Sequence, residues 1–129
     1  MIRALKVVLS VFGVVEILFG LLLVILPDQA ASISGFSDIS GYTKYAMMSL
    51  GMSLVAASVF LIIAARDPLL HIKWVKFAIL WCALGVVGGL YSVILGDVQF
   101  DQAGMQIIMD AVFAVVFLAL YPYKAVRAS

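Results

Sequence analysis

Residues 5–26, LKVVLSVFGVVEILFGLLLVIL, constrain this chain more than any other stretch. An α-helix needs about 20 predominantly apolar residues to cross the hydrocarbon of a bilayer, and this run supplies them. One acid, Glu16, interrupts it near the middle. An ionised carboxylate is costly at that depth, so an acid there marks a functional-site candidate. Arg3 and Lys6 precede the run as they would in a secretory signal. The run is longer than the roughly 7–15 residues of a signal core, so a retained transmembrane helix is expected.

Three more apolar runs follow. The four spans are expected at about 5–26, 45–65, 72–95 and 103–121. Of the 129 residues, 66% are hydrophobic and 12% charged. Soluble domains carry about 25% charge, so lipid must be the solvent for much of this surface. The fold class expected is all-α, an integral membrane four-helix bundle, with residues 1–129 as one transmembrane domain. A net charge of +1 leaves no basic footprint for nucleic acid. One cysteine, Cys82, and one histidine, His71, fall short of an internal disulfide or a zinc set. Cys82 lies inside an apolar run and is expected to be a buried, inert thiol. No catalytic, metal or cofactor motif is present.

The boundaries follow from local signals. Pro27 closes the first span, since proline cannot continue a helix. Residues 27–43 are rich in Ser and Gly; Ala30, Ala31, Ile33 and Phe36 suit either a short interfacial helix or a plain loop. Thr43 is a candidate N-cap for the second span. Asp67-Pro68 predicts the start of the third helix, with Trp74, Lys73 and Lys76 at the interface. Gly96 ends that helix, and Asp101 is a candidate N-cap for the fourth span. Tyr121 and Tyr123 fit an aromatic belt.

Four spans also sort the charges. Arg3, Lys6, Arg66, Lys73, Lys76, Lys124 and Arg127 fall on one side, with Lys44 on the other beside Asp28, Asp38, Asp97 and Asp101. The positive-inside rule then places both termini in the cytoplasm, with a prokaryotic inner or plasma membrane as the expected location.

At about 100° per residue, Gly13, Glu16, Gly20 and Pro27 share a stripe roughly 60° wide. Ala78, Cys82, Gly85, Gly89, Ser92 and Gly96 share another on the third span. Small residues let helix backbones approach in lipid, so Gly13, Gly20, Gly85 and Gly89 are candidate packing positions. Ser49, Ser53, Ala56 and Ala57 offer a seam on the second span, and Ala103, Gln106, Asp110, Ala114 and Tyr121 one on the fourth. The remaining Leu, Val, Ile and Phe are left for lipid.

The polar residues share a depth. Glu16 lies about 15 Å and Asp110 about 10 Å below the loop-side end of their spans, at roughly 1.5 Å per residue. Ser49, Ser53, Tyr91 and Gln106 fall in the same half. A small pocket open toward that side would satisfy them, with Glu16, Asp110, Gln106, Tyr91, Ser49 and Ser53 as its candidate residues. No Lys or Arg lies deep enough to pair with the acids. Glu16 then either serves a proton, a cation or a small polar ligand, or acts as hydrogen-bonding glue between helices.

Several features taken together resemble the small four-span membrane proteins related to DoxX. They are Gly20 to Pro27 closing span one, a Ser/Gly-rich loop, a second span ending IIAARDP at Ile62 to Pro68, and a glycine-rich third span. The resemblance covers nearly the whole chain and implies an accessory role beside a redox partner, with no cofactor-ligating residues to carry over. A lone Glu in the first of four short spans is also similar to the small multidrug exporters. The long loop after span one, the absence of a Trp-Gly pattern in span three and the additional Asp110 depart from that pattern.

Two functions are therefore expected to compete. The first is a non-enzymatic accessory or structural subunit, in contact with other membrane subunits or with itself, needing no cofactor. The second is a proton-coupled small-molecule carrier or ligand-binding membrane protein that uses Glu16.

Overall fold

The computed structural model describes residues 2–128. Its regular elements among the described residues are all helices: α1 (Ile2–Ile25), α2 (Pro27–Ile33), α3 (Gly41–Arg66), α4 (Ile72–Leu95), α5 (Phe100–Leu120) and α6 (Tyr123–Ala128). Four of these, α1, α3, α4 and α5, are long and apolar enough to cross a membrane. The protein is an all-α four-helix bundle embedded in a membrane.

Local chemistry explains the ends. Pro27 stops α1 and takes the first position of α2, where its missing N–H costs nothing. Residues 27–33 are thus a helix, with Ala30 and Ala31 buried, and Phe36 lies beyond it. The N-cap of α3 is Ser40 rather than Thr43: the Ser40 hydroxyl accepts from the Thr43 N–H at 3.1 Å. Asp67 does cap a turn, with its Oδ1 accepting from the Leu70 N–H at 3.2 Å. That turn is consumed in reversing the chain, so α4 begins at Ile72 and not at Pro68. Gly96 ends α4 in the left-handed region, φ +80°, with the Asp97 N–H donating to the Ser92 carbonyl at 3.1 Å. This is the glycine-terminated helix end that frees the last carbonyls from exposure. Gln99, not Asp101, caps α5, through a reciprocal pairing with Gln102. Asp101 sits in the first turn, where an acid favours the helix dipole.

The bundle is two hairpins. α1 packs along α3, and α4 packs along α5; the hairpins meet less closely. Glycine sets the first seam. A Cβ on Gly51 would lie 2.5 Å from the Gly20 carbonyl oxygen, and one on Gly20 would lie 2.7 Å from the Gly51 carbonyl oxygen. Neither backbone could approach the other so closely with any other residue. Gly13 receives the Ile62 side chain. The α3 seam therefore runs through Gly51, Leu54, Ser58, Leu61 and Ala65. Ser49, Ser53 and Ala56 are exposed, and Ala57 is half-buried, so the expected seam lies on the wrong face of α3. On the second seam Gly89 receives Ile107 and Gly85 receives the Asp110 carboxylate.

Packing is uneven along the bundle axis. At the end carrying both termini, Leu5, Leu9, Phe12, Leu61, Val75, Ala78, Cys82, Phe117 and Tyr121 form one core. Several large residues expected to face lipid are thus interior, and Tyr121 is buried, as its place on the seam of the fourth span implies. Phe12 is the hub, with ring centroids 5.5 Å from Trp81, 4.8 Å from Phe113 and 5.4 Å from Phe117. At the loop end the core thins to Leu23, Ala30 and Leu54.

Candidate functional site

The thin end of the bundle contains a cavity of about 260 Å³ between α1, α2 and α5. Glu16 and Asp110 both line it. Their residues are only 7% and 6% exposed, deep for acids. Among the described residues neither carboxylate has a hydrogen-bond or ion-pair partner. An ion pair lies elsewhere, Lys44 Nζ to Asp28 at 3.3 Å, tying α3 to α2.

Each acid is placed by its own hairpin. Glu16 lies between Gly13 and Gly20 in sequence, the two glycines that press α1 onto α3. Asp110 is set by Gly85, whose missing Cβ is the space the carboxylate occupies. Phe12, one turn before Glu16, and Phe113, three residues after Asp110, meet on the side of the termini. Aromatic packing closes the bundle directly below the acids.

Above the acids the walls are apolar and adaptable: Phe19, Leu22, Met105 and Met109. Unbranched methionine side chains adjust to irregular shapes. Ser34, Asp101, Gln102 and Gln106 supply polar groups toward the loop end. Gln102 is fixed at both ends of its amide. Its Oε1 accepts from the Gln99 N–H at 2.9 Å, and its Nε2 donates to the Gly35 carbonyl at 3.3 Å. The second bond straps the 34–36 turn to α5.

No family model, curated protein or solved structure matches this chain.

Of the six pocket residues expected from sequence, the structure brings Glu16, Asp110 and Gln106 together. Tyr91 is 61% exposed on the outside of α4. Ser49 is exposed, and Ser53 lines a separate apolar groove between α3 and α4. Phe19, Leu22, Gln102, Met105 and Met109 were not singled out by sequence. Spacing does carry a signal for one of them: Gln102, Gln106 and Asp110 recur every four residues, which puts them on one face of α5. Ser58 was likewise missed. It is fully buried, and its hydroxyl makes no hydrogen bond. Among the described residues no group of three metal-ligating side chains exists.

Proposed function

We propose that this protein binds a small amphipathic molecule bearing a positive charge, held by Glu16 and Asp110 inside the membrane. One observation carries the reading: two nearly buried carboxylates share a cavity in which no described residue supplies a cation. Leaving a buried charge unpaired is expensive, so a cationic guest gains what the protein itself leaves uncompensated. A bare divalent ion fits poorly. Hard cations take six or more oxygens, and these walls are mostly carbon. An alkyl or aryl ammonium matches both parts, with its chain against Phe19, Leu22, Met105 and Met109. Such binding is the first requirement of a proton-coupled carrier.

The test is calorimetric titration of hexylammonium into the purified protein in detergent, with hexanesulfonate as the anionic control. Hexylammonium should bind and hexanesulfonate should not. Glu16→Gln with Asp110→Asn should weaken hexylammonium by about 1.5–3 kcal/mol, on the order of tenfold or more in Kd. Equal binding to the double variant overturns the proposal.

A second reading, an accessory subunit, draws on the apolar groove of about 450 Å³ where α3 and α4 stand apart, lined by Leu50, Leu54, Phe77, Leu80, Trp81 and Leu84. The likeness to DoxX-related proteins supports this role too. In it Glu16 and Asp110 are glue between helices, and hexylammonium does not bind. Under either reading we place the protein in a prokaryotic inner or plasma membrane, with its termini in the cytoplasm.

A further inference from the structure

We propose that the ligand is a long-chain alkylammonium amphiphile taken from the bilayer: its ammonium sits at Glu16 and Asp110, and its alkyl tail leaves sideways between α1 and α5 and stays in lipid. The inference rests on the cation-binding reading above and adds the ligand's length and its route.

The borders of the cavity differ in kind. Toward the termini, Phe12, Phe113 and Phe117 pack against one another. Toward α3, α1 is pressed close through Gly13 and Gly20. Toward α4, the Asp110 carboxylate rests on Gly85 and Ile107 rests on Gly89. Toward the loop end, α2 lines the cavity with the buried Ala30, and the bond from Gln102 to the Gly35 carbonyl ties the next turn to α5. α1 and α5 themselves pack far less closely on each other than each does on its hairpin partner. The gap between them is the side that none of these contacts closes.

The rim of that gap is apolar. At about 100° per residue, Val15 and Leu22 share one side of α1, and Met105 and Met109 share the facing side of α5. All four line the cavity. Val15, Leu22 and Met109 are half-buried, and Met105 is 72% exposed, so this wall continues from the cavity to the outside of the bundle. At roughly 1.5 Å per residue, Met105 and Met109 lie about 8 and 14 Å below the loop-side end of α5, and Val15 about 15 Å below that of α1. These are hydrocarbon depths in a bilayer whose core is about 30 Å thick.

The rim decides the tail. Val15, Leu22, Met105 and Met109 offer no hydrogen bond, so a chain that leaves between them is alkyl. Unbranched methionine side chains can part around it. Ser34, Asp101 and Gln102 gather at the loop end, where an alkyl chain would cover polar groups without satisfying them. The charge is fixed at the inner end by Glu16 and Asp110, each more than nine-tenths buried and without a partner among the described residues.

The test uses decylammonium with a pyrene at its far end, a group too bulky for the cavity, and the protein in phosphatidylcholine vesicles. Energy transfer from Trp74 and Trp81 to pyrene reports binding, with the Glu16→Gln/Asp110→Asn double variant as background and hexylammonium as competitor. The acid-dependent transfer should be present, and the pyrene that gives rise to it should be quenched by lipids brominated on their acyl chains. Val15→Phe with Met109→Phe narrows the rim. It should weaken the pyrene probe by about tenfold or more and hexylammonium by less than about twofold. The quenching needs no rim substitution, so it stands even if that variant fails to fold. Binding of hexylammonium without the pyrene probe, bound pyrene shielded from brominated lipid, or bound pyrene quenched by aqueous iodide instead would overturn the lateral exit while leaving the acid site standing. Binding of both probes that is indifferent to the double acid substitution would overturn the parent reading instead.

Discussion

Gly20 and Gly51 meet backbone to backbone, and this contact holds α1 and α3 close together. Gly51→Leu has no space to occupy. It should lower stability in detergent by about 1–3 kcal/mol or more, read as a drop in the thermal unfolding midpoint. Gly88→Leu, on an open face, should leave the midpoint nearly unchanged. Wild-type stability for Gly51→Leu would mean that the two helices do not touch there. At this scale the sequence was informative where chemistry was unusual. Glu16 and Asp110 announce themselves as acids in apolar runs. Gly51 and Ser58 do not, because small residues abound in membrane helices and the seam depends on which face turns inward. The same ambiguity explains Ser49, Ser53 and Tyr91. Depth follows from counting residues, but azimuth around the helix follows from packing, and these three sit at the right depth on the wrong faces.

At the scale of the element, the helices begin where a side chain satisfies their first N–H groups, and that does not coincide with where apolar residues begin. Ser40 caps α3 from just outside the helix, five residues before the expected span. Ser40→Ala should therefore cost about 1 kcal/mol and loosen the first turn, seen as faster amide exchange at Thr43 and Lys44. Unchanged exchange there would show that the Lys44–Asp28 pair holds the turn by itself. Helix stops were easier to read than starts. Pro27 and Gly96 act through backbone geometry that tolerates few alternatives, whereas Thr43, Ser40, Asp101 and Gln99 are all competent caps, and tertiary fit selects among them.

For the molecule as a whole, the count of spans was legible because hydrophobic length and the sorting of charge agree. Arg3, Lys6, Arg66, Lys73, Lys76, Lys124 and Arg127 all gather toward the end that carries both termini. A cysteine at Gly41 should react with a membrane-impermeant thiol reagent applied to intact cells, and one at Ala125 should not. The opposite pattern would invert the proposed orientation. The uneven core was not legible, because it arises from contacts between the hairpins: Phe12 on α1 meets Trp81 on α4 and Phe113 and Phe117 on α5.

The two-hairpin construction also orders events during synthesis. A ribosome delivers α1 and α3 before α4 and α5 exist, and the first pair already owns its glycine seam. Glu16 belongs to that early half and Asp110 to the late one. Until the halves dock, the first hairpin carries a single acid, and the chamber that α5 completes is not yet formed. On the proposed cation-binding reading, recognition is a property of the join between the halves, and a molecule bound there would act as a clasp on the finished protein.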